Sequence, residues 1–137
     1  MEAQVISLFI VDDDKLLATD LKNYLQNKFG QKLQISIFSD GESCLKKIDK
    51  ETHIVILDYF LGDENGLDIL KAIKIINPKV EVIMLSGNED MAIAIETFRA
   101  GAKDYVKKGV GSWGSITNSV YGIIIKPIRI IVKGFFG

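Results

Sequence analysis

Short apolar runs alternate with amphipathic stretches along the first 109 positions of the chain. Val5 to Val11 (VISLFIV) is almost continuously apolar, the pattern of a strand buried on both faces. Leu17, Leu21, Tyr24, Leu25 and Phe29 then recur at helical spacing, with Asp14 placed to cap that helix and Gly30 to end it. Leu33, Ile35 and Ile37 alternate as in a second strand. Ser39, with Glu42 three residues on, has the spacing of a capping box and predicts a helix to about Lys50. Ile54 to Leu57 is a third apolar run, too short for a helix. Gly66 to Asn77 predicts a helix with Leu67, Leu70 and Ile73 on one face, stopped by Pro78. Val80 to Leu85 reads as a fourth strand, Asp90 to Ala100 as a helix closed by Gly101, and Tyr105 and Val106 as a short fifth strand. Trp113, Ile116, Val120 and Ile124 set a last helix from near Ser112, which Pro127 interrupts.

Helices of this length between strands make right-handed crossovers to parallel neighbours. The predicted class is therefore α/β: a three-layer α/β/α sandwich on a doubly wound, five-stranded parallel sheet. At 137 residues there is room for one domain, set at residues 1–126, with 127–137 as an apolar and basic extension.

Composition narrows the function classes. Hydrophobic residues at 47% and charged residues at 26% exclude a disordered or fibrous chain. A single cysteine, Cys44, rules out an internal disulfide, and with His53 as the one histidine a structural zinc site is not expected. MEAQVISLFIVDDD has no basic leader and no small-residue cleavage site, so no signal peptide is expected and a cytoplasmic location is. No acid follows Asp104, whereas Lys126, Arg129 and Lys133 lie beyond it; the body is mildly acidic and the tail basic. Direct nucleic-acid binding by the body is not expected.

In an open parallel sheet, ligands sit beyond the carboxyl ends of the strands. Asp12, Asp13 and Asp14 follow the first strand, Asp58 the third, Ser86 and Gly87 the fourth, and Lys107 and Lys108 the fifth. Clustered carboxylates resist ionising together unless a cation neutralises them, and hard oxygen donors without Cys or His point to Mg²⁺ or Mn²⁺. A carboxylate beside such an ion can attack phosphorus, with a lysine and a serine holding the phosphoryl oxygens. Singly, each residue has a plainer role. Asp12, Asp13 and Asp58 serve as caps or turn residues, Asp14 and Ser86 as caps, and Tyr105 as a static core aromatic. Asp63 and Glu64 read as solvated loop charges, Lys107 as exposed, and Cys44 and His53 as incidental.

Four segments together resemble the response-regulator receiver domains of two-component signalling, the CheY-like family: IVDDD at 10–14, ILDYFLGDENG at 56–66, VIMLSG at 82–87 and GAKDYVKKG at 101–109. The resemblance implies a flavodoxin-like strand order, 2-1-3-4-5. It implies Asp12 and Asp13 as the acidic pair, Asp13 being the direct metal ligand, and Asp58 as phosphoacceptor and metal ligand. The backbone carbonyl of Phe60 completes the metal's protein ligands, Ser86 is the switch hydroxyl and Tyr105 the switch aromatic. It selects Lys108 over Lys107 as the functional lysine. Where the family usually has a proline after that lysine, this chain has Gly109, so no cis-proline is expected. Phe60 and Asn88 fall at the positions flanking the approach of a hydrolytic water.

The implied activity is that of a phosphoacceptor, not an enzyme. A histidine kinase or phosphotransfer protein is the donor, and a downstream protein is met through the fourth helix, fifth strand and fifth helix. One alternative is a Mg²⁺-dependent phosphohydrolase with an aspartyl-phosphate intermediate, although Asp58-Tyr59-Phe60 lacks the second acid of an Asp-x-Asp pair. Another is a degenerate receiver acting only as a binding module. For the tail, a terminal element packed on the body or frayed, a surface for self-association (as a homodimer) or for a partner, and a peripheral membrane contact are the alternatives, in that order; its apolar stretches are far below the ~20 residues that span a bilayer.

Overall fold

The computed structural model describes residues 4–87 and 90–125. Five parallel strands form the main sheet: β1 (Ile6–Val11), β2 (Leu33–Phe38), β3 (Thr52–Asp58), β6 (Glu81–Ser86) and β7 (Asp104–Lys107), in the order β2-β1-β3-β6-β7. Leaving out a two-stranded hairpin, β4 (Phe60–Leu61) and β5 (Glu64–Asn65), this is the 2-1-3-4-5 order. The helices are α1 (Lys15–Phe29), α2 (Gly41–Lys47), α3 (Gly66–Ile76), α4 (Met91–Arg99) and α5 (Ser112–Ile124). The expected domain boundary at 126/127 and the whole of 127–137 lie outside the described residues.

The continuous apolar runs are explained by burial on both faces of the sheet. Phe9, Val11, Val55, Leu57, Val82 and Met84 pack with Cys44, Ile69, Leu70 and Ile73. The alternate residues Leu8, Ile10, Ile54, Ile56, Ile83 and Leu85 pack with Leu21, Leu25, Ile116 and Val120 on the other side. Each strand thus presents every residue to a core, and its carboxyl end emerges from a rigid, dry layer. Cys44 is fully buried there, and burial pushes its thiol up to about 12, so it is inert packing.

Three local details differ from the sequence-based expectations. The N-cap of α2 is Asp40, not Ser39: the Ser43 amide donates to Asp40 Oδ1 at 2.7 Å. Glu42 instead pairs with Lys46 on the surface, and the helix ends at Lys47. The carboxylate is the stronger acceptor, and this single-residue shift follows from it. The hairpin β4–β5 was not anticipated, because two-residue strands carry no periodicity to read. His53 is not incidental: β1 and β3 shift register between Ser7 and Leu8, pairing with Thr52 and Ile54, and the His53 imidazole Nδ1 accepts the Ser7 amide at 3.0 Å. The ring replaces the ladder bond that the bulge removes. Asp14 caps α1 through the Leu17 amide, and Gly30 ends it at φ +61°, both as expected.

Candidate functional site

β1, β3, β6 and β7 each deliver one or more polar groups to the same edge of the sheet. Tyr59 N–H donates to Leu85 O at 2.9 Å and Lys108 N–H to Ser86 O at 2.7 Å, so the pairing continues past the strand ends into the site. Backbone register, not side-chain contact, therefore sets which residues meet here.

Asp12, Asp13 and Asp58 each place a carboxylate oxygen within 4.8 Å of the others. Asp12 and Asp58 are buried, at 2% and 3% exposure, and Asp13 faces solvent. Asp12 Oδ1 accepts the Asp14 amide at 2.9 Å, and Asp58 Oδ1 accepts the Phe60 amide at 3.2 Å. Burial, reinforced by the charge of Asp58, raises Asp12 to about 6 despite the Asp14 amide and the Lys108 ammonium. Three carboxylates converging without a soft donor fit a hard divalent cation, which would relieve that repulsion.

Lys108 Nζ lies 2.9 Å from Asp58 Oδ2 and 3.7 Å from Asp12 Oδ2. Partial burial lowers its pKa, but the hydrogen bond and charge of Asp58, with Asp12 and Asp13 behind, outweigh this and hold it above the usual lysine value. Lys107, one residue earlier, is exposed. Gly109 adopts φ +126°, and there is no cis peptide among the described residues. Ser86 is fully buried at the end of β6, beside Lys107 in register. Tyr105 is half-buried on β7 and packs against the α2–α3 core.

The hairpin β4–β5 closes one side of the site. Phe60 is 54% exposed, its ring edge-on to Tyr59 at 4.9 Å between centroids. At the base of the hairpin Gly66 N–H donates to Tyr59 O at 2.7 Å, and a Cβ at Gly66 would lie 2.6 Å from Tyr59 Cα, so only glycine fits. Glu64 is not a solvated loop charge. Its two carboxylate oxygens accept the Gly41 and Glu42 amides of α2 at 2.7 and 3.1 Å. Sequence reasoning missed it, since a contact spanning more than twenty residues leaves no local spacing. Asp63 is exposed, as expected, and Asn88 lies outside the described residues.

No helix among the described residues is long and apolar enough to cross a membrane. The family model for the response regulator receiver domain matches residues 8–128. The chemotaxis protein CheY of Thermotoga maritima is 31% identical over 101 residues, covering 74% of this chain and 83% of CheY. The transcriptional regulatory protein CssR of Bacillus subtilis is also 31% identical, over 102 residues, but the chain spans only 44% of its length, and 24% of the regulator ZraR of Klebsiella oxytoca. Among solved structures, the BeF3-activated DrrB receiver domain is 30% identical with a TM-score of 0.75, covering 88% of this chain and 98% of that one. A CheY-like receiver from Methanospirillum hungatei superposes with a TM-score of 0.81 at 22% identity, covering 92% and 98%, a likeness of fold. With its strand order, its acid-lined sheet edge and a family match over most of its length, the chain belongs to the response regulator receiver domains of two-component systems.

Proposed function

We propose that this receiver takes a phosphoryl group onto Asp58 from a phosphohistidine of a histidine kinase or phosphotransfer protein, in the cytoplasm, and signals through a protein-binding face. The observation that carries this is the environment of Asp58. A buried carboxylate ends a rigid strand within 4.8 Å of two further acids and in contact with an ammonium at 2.9 Å.

Asp58 uses a carboxylate oxygen as nucleophile toward phosphorus, and the donor imidazole leaves. Asp13, Asp12, Asp58 and the Phe60 carbonyl would hold Mg²⁺, with Mn²⁺ as a substitute. Bound there, the ion supplies charge neutralisation for the crowded carboxylates and phosphoryl oxygens. The Phe60 amide holds one Asp58 oxygen and so orients the carboxylate. Lys108 and the Ser86 hydroxyl supply positive charge and a hydrogen bond to the phosphoryl oxygens. The donor is a separate molecule, since His53 sits at the start of β3, about 16 Å along the strand from Asp58. The chain is thus an acceptor that is modified, not an enzyme that turns over.

The output face we assign to α4, β7 and α5. Met91, Ile95 and Phe98 are exposed at i, i+4 and i+7 along one side of α4. An open groove of about 640 Å³ lies between β7 and α5, lined by Tyr105, Lys107, Ser115 and Asn118. Tyr105 connects this face to the core, and the added phosphoryl charge would be read through Ser86 and Tyr105.

Incubation with acetyl phosphate and Mg²⁺, followed by intact-mass measurement, tests the reading. One phosphoryl adduct on the native protein and none on Asp58→Asn is expected; equal adducts on both would refute it.

A further inference from the structure

The hairpin β4–β5 carries two groups at the acid cluster. The Phe60 amide is bonded to Asp58 Oδ1, and at the tip Gly62, at φ +63°, borders Asp13: a Cβ there would just reach van der Waals distance, 4.0 Å, from Asp13 Oδ2. What fixes the hairpin therefore fixes the backbone that borders the cluster. Two of its ties are short-range: Gly66 N–H to Tyr59 O at 2.7 Å, and Asn65 Oδ1 capping α3 through the Leu67 amide at 2.7 Å. Both anchor the base of the hairpin to α3 and β3, and Leu61 of β4 is buried in the core between the sheet and α2–α3.

The polar tie from the hairpin to α2 is Glu64. Its Oε1 accepts the Gly41 amide at 2.7 Å and its Oε2 the Glu42 amide at 3.1 Å, a two-pronged grip on the first turn of α2. These are two of the orphan donors at a helix start, and a carboxylate is the acceptor they favour. Asp40 takes the Ser43 amide, so the two carboxylates divide the first turn between them. The fit is close: a Cβ at Gly41 would meet Ile69 Cδ1 at 2.4 Å and Glu64 Oε2 at 3.2 Å. α2 thereby serves as a fixed post to which β5 is clamped.

We propose that Glu64 is a positioning residue for the metal and phosphoryl site, holding the β4–β5 hairpin against α2 so that the Phe60 and Gly62 backbone stays in register with Asp58 and Asp13. The inference rests on the receiver reading of the acid cluster. Glu64 does not touch the acids in this arrangement; it acts through the hairpin. Outer supports of this kind change metal affinity without contributing a ligand.

The test separates positioning from charge and from folding. Mg²⁺ affinity is measured by calorimetry on the native protein, Glu64→Ala, Glu64→Gln and Asp63→Ala, with amide exchange followed in the metal-free state. Glu64→Ala should bind Mg²⁺ about 10-fold more weakly, with faster exchange at the Gly41 and Glu42 amides. Glu64→Gln keeps one of the two acceptor oxygens and should fall between native and Glu64→Ala, whereas Asp63→Ala, which removes a neighbouring exposed charge, should stay within about twofold. Equal losses in Glu64→Ala and Asp63→Ala, or native affinity in Glu64→Ala, would overturn the proposal. So would equal loss in Glu64→Gln and Glu64→Ala when both retain the native thermal transition. A native protein that binds Mg²⁺ but accepts no phosphoryl group would sink the receiver reading instead, while the Mg²⁺ titrations still decide the role of Glu64.

Discussion

Lys108 Nζ is in contact with Asp58 Oδ2 at 2.9 Å, so the ammonium already occupies a place beside the oxygen that would carry a phosphoryl group. The same ammonium lies 3.7 Å from Asp12, and it competes with any cation for these carboxylates. Lys108→Met should therefore bind Mg²⁺ more tightly at pH 8, by roughly fivefold if the lost repulsion is about 1 kcal/mol. The same variant should still form the Asp58 adduct, yet transmit less of it to α4, β7 and α5. Calorimetric Mg²⁺ titration checks the first point, and amide exchange on α4 with and without acetyl phosphate the second. Weaker Mg²⁺ binding in the variant would show that the lysine organises the acids rather than competing for them.

Asp12 predicts a pH dependence with a definite sign. Its folded-state pKa of about 6 lies above its ordinary value of 3.8, so the folded protein binds its proton more tightly than the unfolded chain does. Ionised Asp12 thus costs stability above pH 6, and the cost fades as pH falls from about 6 toward 3.8. Without metal, Asp12→Asn should be more stable than native at pH 8, by on the order of 2–3 kcal/mol, with the gap closing below pH 6. Mg²⁺ affinity of the native protein should fall over the same window, because protons and the ion compete for Asp12. Urea titrations at pH 8 and pH 5 check the stability term; a gap that does not change with pH would contradict it.

The register of the acidic run gives a third test. Asp13 belongs to the three-carboxylate cluster, whereas the Asp14 carboxylate is spent on the Leu17 amide at the start of α1. Asp13→Asn should weaken Mg²⁺ by about 10-fold or more. Asp14→Asn should leave affinity near native and cost at most about 1 kcal/mol of stability, since asparagine is also an N-cap. Metal affinity and thermal unfolding of the two variants distinguish these effects.

What could be read from the chain depended on whether the information was local. Val55, Ile56 and Leu57 announce a strand buried on both faces because each side chain meets a core, and Asp58 follows that run in the sequence itself. Asp12 directly follows and Ser86 ends an apolar strand, so their places at the sheet edge were legible in the same way, whereas the strand DYVK left Lys107 and Lys108 equivalent and only the resemblance chose between them. Glu64 was not, because its partners Gly41 and Glu42 are brought to it only by the packing of α2 beside the hairpin. His53 gave no sign either, since a bulge depends on how two distant strands align and not on either one alone. The choice between Ser39 and Asp40 as cap turned on a single residue of register, below what spacing can resolve.

The aspartyl phosphate should persist. Hydrolysis requires a water in line with phosphorus, opposite the Asp58 oxygen, and a group that can orient it or accept its proton. By the family resemblance Phe60 falls at a position flanking that approach; its ring is half-exposed and edge-on against Tyr59 at 4.9 Å. A phenyl ring can obstruct a water and offers no atom to orient one. Asn88, the other flanking position by resemblance, is an amide and no base. Phe60→Asn should open the approach and supply a hydrogen-bonding group, shortening the lifetime by roughly 10-fold or more. Asn88→Ala should change it much less. Following adduct loss by intact mass in Mg²⁺ after removal of acetyl phosphate compares the three proteins. A native lifetime of seconds, or a Phe60→Asn lifetime equal to native, would show that some group other than Phe60 controls the water.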